Sequence, residues 1–153
     1  QLALAAVYYS PLQYMYWYDK PSDSQDEPEL KFFDDVYTTW DDTKVLQGEV
    51  GEFITIARRK GEEWFIGSIT NNEKRVLSVS LDFLPEGKNY IAEIYTDGDK
   101  SVKTRTKVRV STYRVSNKTK LNFCLKASGG GAVRLVPDDG NIKSVKNYKQ
   151  QRL

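Results

Sequence analysis

From Lys44 onward, apolar residues recur at every second position in short runs cut by turn residues. That period leaves room for little besides half-buried strands joined by tight connections. Val45 to Val50 and Phe53 to Arg59 form a first expected pair broken at Gly51, and Trp64 to Thr70 follows a Lys60-Gly61-Glu62 turn. Leu77, Val79, Leu81 and Phe83 alternate with Ser78, Ser80 and Asp82, and Pro85-Glu86-Gly87-Lys88 turns the chain into Tyr90, Ala92 and Ile94. Beyond Asp97-Gly98-Asp99, a strand is expected over Val102 to Val110, with Lys103, Arg105, Lys107 and Arg109 on its other face. Leu121, Phe123 and Leu125, then Val133 to Val136 after a Gly129-Gly130-Gly131 turn, complete the series. Some eight short strands at this spacing predict a mainly β chain, an antiparallel β-sandwich or a related all-β module.

The first residues follow another rule. Leu2 to Tyr9 is apolar without interruption, and Leu2, Ala3, Leu4, Ala5 and Ala6 favour a helix that ends or kinks at Pro11. A helix without a polar face must be buried on all sides. Two readings fit: a terminal helix packed on one sheet, or the last helix of a larger domain. An aromatic cluster follows, Tyr14, Met15, Tyr16, Trp17 and Tyr18. Trp17 and Tyr18 are candidate substrate-binding residues, as rings on which sugars stack, although packing between domains explains them equally well. Acidic and turn residues dominate Asp19 to Thr43, around an apolar knot at Leu30, Phe32 and Phe33, which reads as a connector with one helical turn near Pro28 to Asp35. After Pro137 few residues can be buried, and a loose tail is expected.

Composition excludes several chemistries. The 153 residues contain no histidine, which removes Ser-His-Asp and Cys-His machinery and every His-ligated metal site made by this chain alone. A single cysteine, Cys124, leaves no intrachain disulfide and no Cys-x-x-Cys motif. With 23 basic and 21 acidic residues the net charge is +2, too small a field to select nucleic acid. No apolar run reaches the length of a membrane span. Asp34-Asp35, Asp41-Asp42, Glu62-Glu63 and Asp138-Asp139 are adjacent carboxylates, but neighbours on an extended strand point to opposite faces, whereas glycosidic hydrolysis needs an opposed pair. The four cations of Lys103 to Arg109 read as the solvated face of a strand, and Gly129 to Gly131 precedes a strand rather than a phosphate-binding helix.

Several stretches carry a more specific signal: Tyr9-Ser10-Pro11-Leu12-Gln13, Thr38 to Leu46 (Thr-Thr-Trp-Asp-Asp-Thr-Lys-Val-Leu), Ile54 to Gly61, Trp64 to Asn71, Leu81 to Gly87, Ala92-Glu93-Ile94-Tyr95 and Gly129 to Ala132. In order and spacing the chain to about Pro137 resembles the C-terminal part of glycoside hydrolase family 97, the SusB-like α-glucosidases and α-galactosidases. The aromatic stretch Tyr14 to Lys20 departs from the family pattern. The resemblance implies a parent enzyme with an N-terminal β-sandwich, a central (β/α)₈ barrel holding a calcium-dependent active site, and a C-terminal all-β domain. Residues 1–18 would then be a remnant of the last barrel helix, 19–43 a connector, 44–137 the all-β domain and 138–153 a tail. No catalytic residue and no metal ligand falls within this chain, so calcium is expected only in the parent. The implied role is an accessory domain that supports the barrel and is inactive alone. Implied partners are the barrel of the same polypeptide and, for the parent, an oligosaccharide, with self-association through Leu2 to Tyr18 and a periplasmic or outer-membrane-associated location in a bacterium. The alternative is a free-standing carbohydrate-binding or protein-interaction module.

Overall fold

The structure, a computed structural model, describes residues 1–14, 20–24, 27–103, 106–142 and 144–149. It holds two short helices, α1 (Leu2–Val7) and α2 (Lys31–Asp35), with 3₁₀ turns at Pro21–Asp23 and Pro28–Leu30. Eight strands follow: β1 (Asp42–Glu49), β2 (Phe53–Lys60), β3 (Glu63–Thr70), β4 (Arg75–Ser80), β5 (Asn89–Asp97), β6 (Val108–Ser116), β7 (Lys120–Leu125) and β8 (Gly130–Pro137). Six of them form one antiparallel sheet in the order β1-β2-β3-β8-β5-β6, and β4 pairs with β7 in a separate ribbon.

The period-two pattern sorts the strands onto two cores. Trp64, Ile66, Ala92, Ile94, Val133 and Leu135 face the ribbon and pack on Leu77, Val79, Leu121, Phe123 and Leu125. The alternate residues of the same strands, Phe65, Tyr95 and Ala132, face the opposite way, onto Leu2, Ala5 and Ala6 of α1 and onto Phe32 of α2. With both faces of the central strands covered, β3 is buried from Trp64 to Ser68 without a break, as expected of a strand with no solvent side. The knot at Phe32 and Phe33 thus closes the outer face, its ring packing edge-on against Phe65 and Tyr95.

Close approach of α1 to the sheet depends on a missing side chain. Gly67 lies under the helix, where a Cβ would run into the carbonyl oxygen of Ala3 and stand 3.0 Å from Val7 Cγ2. Gly130 and Gly131 belong to β8 rather than to a turn; a Cβ on Gly131 would stand 2.6 Å from the Phe123 ring. This run of glycines is a packing requirement.

Two sequence expectations change. The strand expected over Val102 to Val110 runs instead from Val108 to Ser116. The described residues between β5 and β6 lie outside the sheet, with the Gly98 N–H on the Lys107 carbonyl at 2.6 Å and Lys107 at φ 54°. Of the basic stripe, Arg109 lies in β6, paired with Asp99 at 2.9 Å, Lys103 and Lys107 lie outside any strand, and Arg105 lies outside the described residues. Alternating Val and charged residues satisfied the strand pattern over either span, and the backbone pairing of β5 with β6 decided between them. The segment after Pro137 also has anchors. The Tyr148 hydroxyl accepts the Asn122 N–H at 3.0 Å, and Asn147 bridges Arg114 on β6.

Candidate functional site

Each adjacent carboxylate pair has structural partners. Asp41 accepts the Gly61 N–H at 2.8 Å and pairs with Lys60 at 2.9 Å, and these two contacts hold its carboxyl below the usual range. Asp42 accepts the N–H of Thr43, Glu62 pairs with Lys88 at 3.0 Å, and Asp138 pairs with Arg114 while accepting the Gly140 N–H at 3.0 Å. The Arg114 contact, with the Gly140 N–H second, lowers the Asp138 pKa.

Sequence reasoning did not reach the cluster around Arg134. Arg134, on β8, meets Glu63 at 2.9 Å, Asp35 at 2.7 Å and Glu93 at 3.6 Å, and Lys31 bridges Asp35 and Glu93 from α2. Burial works against the guanidinium charge, but the Glu63 hydrogen bond and the three carboxylates outweigh it and hold the pKa up. A cation locked among three acids ties α2 to β3, β5 and β8. It leaves those carboxylates compensated rather than poised as acid and base. Among the described residues no group of three or more His, Cys, Asp or Glu converges as a metal site, and the Asp35, Glu63 and Glu93 carboxylates already enclose a guanidinium, so these residues do not fit calcium.

A fully buried arginine performs the main linking role. Arg58 on β2 is 2% exposed. Its Nε donates to the Ala6 carbonyl at 2.5 Å, one terminal nitrogen donates to the Val7 carbonyl at 2.9 Å, and the other donates to the Thr43 hydroxyl at 2.9 Å. A helix of six residues has too few internal bonds to stand in water, and its last carbonyls lack donors. Arg58 supplies them and places a cation at the negative end of the helix dipole. The signal was present in the sequence: Arg58 shares parity with Ile54 and Ile56, so the alternation places a cation on a buried face. Nothing local says what it would bind there.

The surface around α1 is aromatic. Past the helix, Tyr8, Tyr9, Leu12 and Tyr14 are exposed, and the Arg58 guanidinium lies 5.3 Å from the Tyr9 ring centroid. Self-association was expected through Leu2 to Tyr18; the structure divides that segment, turning Leu2, Ala3, Ala5 and Ala6 inward against this chain's own sheet. Trp17 and Tyr18, the candidate substrate-binding residues, lie outside the described residues. A second surface lies at the tip of the β1–β2 hairpin, where Val45, Gly48, Val50, Ile54 and Ile69 line an open hollow of about 570 Å³.

Known proteins share this architecture. The sequence pattern described as "Glycosyl-hydrolase 97 C-terminal, oligomerisation" matches residues 39–136. A retaining alpha-galactosidase of Bacteroides thetaiotaomicron is 35% identical over 136 residues, 88% of this chain and 20% of that protein. A glycoside hydrolase family 97 enzyme of Pseudoalteromonas sp. strain K8, solved with acarbose, superposes with a TM-score of 0.78 at 36% identity, over 89% of this chain and 22% of its own. A beta-arabinopyranosidase shares the fold, with a TM-score of 0.59 at 24% identity over 75% of this chain and 18% of its own. The chain therefore spans about a fifth of the length of the curated relative it matches. A mainly β domain with one short helix laid on its sheet, matched over most of its length by that family pattern, belongs to glycoside hydrolase family 97 as its C-terminal domain.

Proposed function

We propose that this domain supports and oligomerises a family 97 enzyme that cleaves α-galactosides or α-glucosides, and that it is catalytically inert alone. The observation that carries the reading is the Arg58 clamp: a helix that cannot stand by itself is bound rigidly to the sheet, and the exposed aromatic run Tyr8 to Tyr14 continues from it. That construction suits a joint to a preceding catalytic domain, here taken to be a (β/α)₈ barrel with α1 as its last helix. An α-galactosidase relative and solved enzymes holding acarbose and panose support an oligosaccharide as the parent's substrate. In this reading calcium belongs to the catalytic domain, and the enzyme works in the periplasm or at the outer membrane of a bacterium.

The test compares this chain with the full-length polypeptide on nitrophenyl α-galactoside and α-glucoside. Turnover by the full-length protein only is expected. Turnover by the chain alone that disappears on mutating Asp41 or Glu63 would overturn the reading, and cell fractionation of the full-length protein checks its location.

A further inference from the structure

Of the two edges of the six-stranded sheet, the chain covers one itself. At β6 the Arg114 N–H donates to the Lys146 carbonyl and Arg114's own carbonyl accepts the Tyr148 N–H, both at 2.9 Å. At β1, among the described residues, no backbone partner lies on the outer side. Most side chains of β1 are polar, but two apolar ones stand in solvent, one on the strand and one in its turn. Val45 is 67% exposed, and Val50, at the tip of the Glu49-Val50-Gly51-Glu52 turn, is fully exposed. The Gly61, Gly87 and Gly140 turns carry charged or amide residues at the corresponding places, and a β-branched side chain has no local reason to sit in a hairpin tip.

The hollow beside Val50 lies on the same face. Register places Val45 opposite Ile56, Gly48 opposite Ile54 and Ile54 opposite Ile69, on the side of the sheet that also carries Gly67 and α1. A protruding valine and an apolar hollow within one patch are complementary to each other, which is the property a two-fold contact between identical surfaces requires. Of the two acids that line the hollow, Glu52 is held by Arg75 at 2.7 Å, while Glu49 makes no ion pair among the described residues and stands at the rim.

We infer that the β1–β2 hairpin is the surface through which a second copy of this chain docks, with Val50 of each copy seated in the hollow of the other. The inference rests on the oligomerising role proposed above and names the surface that performs it. A register shift between Val45 and Gln47 interrupts β1 at mid-strand and turns Leu46 toward the core. Such a bulge discourages sheet continuation, so side-chain packing rather than an extended ladder holds the pair.

Sedimentation velocity of the full-length polypeptide at micromolar concentration tests it, with Val50→Asp, Val45→Asp and, on the aromatic segment, Tyr9→Asp. Each hairpin substitution counts twice across a two-fold axis, so a rise in the dissociation constant of about 100-fold or more is expected for Val50→Asp, while Tyr9→Asp leaves the dimer intact. Far-UV circular dichroism and glycosidase turnover, retained in the variants, show that they are folded. A monomeric parent protein would overturn both the oligomerising role and this surface. A dimer unchanged in both hairpin variants would overturn the surface alone, and loss of turnover in those variants without loss of the dimer would assign the hollow to the catalytic domain instead.

Discussion

Replacing Arg58 by methionine removes the donors that hold α1 while keeping a long apolar stem in the same space. The Ala6 and Val7 carbonyls lose their partners, and Thr43, exposed at the sheet edge, turns to water. Two acceptors left without donors cost about 1–3 kcal/mol each. Relief of one desolvated cation offsets part of that, leaving a net loss of about 2 kcal/mol. Lysine, a point charge without the guanidinium's fork, serves one carbonyl at a time and should lose about 1 kcal/mol. Urea titration gives the stability, and hydrogen exchange at Ala5 and Tyr8, whose amides donate to Gln1 and Leu4 within the helix, reports the helix itself. The expected result is a lower midpoint with early loss of protection in α1, since a helix of this length does not survive without its anchor. A methionine variant within about 0.5 kcal/mol of the parent, with both amides still protected, would refute the clamp.

Gly67→Ala should destabilise by about 1–3 kcal/mol, because its Cβ meets the backbone of α1 rather than a movable side chain; a neutral result in thermal melts would mean that the helix is free to lift from the sheet. Leu81→Ala and Phe123→Ala, both fully buried in the core between ribbon and sheet, should each lose about 2–5 kcal/mol in denaturant titrations. Losses at the level of surface substitutions at both sites would place these residues outside the core. The folded-state pKa values of Asp41 and Asp138 lie below their unfolded values. Their contribution is therefore complete above the ordinary carboxylate range and lost as pH falls through about 4 and below. Melting temperature followed from neutral to acid pH should fall less steeply for the Asp41→Asn, Asp138→Asn double variant, and an unchanged slope would remove these two groups from the acid transition.

Much of the fold was legible because one face of each strand is chemically unlike the other. Leu77, Val79, Leu81, Leu121, Phe123 and Leu125 announce the inner core by spacing alone, and Leu2 to Ala6 announces a helix that has to be covered. These are local regularities, fixed by a repeat of two residues or by the absence of any polar face. The family was legible too, through ordered stretches spread over most of the chain. What local pattern could not decide is pairing. Val102 to Val110 alternates as well as any true strand, yet the strand begins only at Val108, because the bond from Gly98 to Lys107 joins residues whose meeting no alternation encodes. In sequence Arg134 is one charge in an apolar run and Arg58 the first of three consecutive basic residues, and neither pattern names a partner. Only folding brings three carboxylates around the first and the carbonyl end of α1 onto the second. The hairpin tip shows the same division: its exposed valine is written in the sequence, whereas the hollow beside it is made of Ile54 and Ile69, brought together by the register of separate strands.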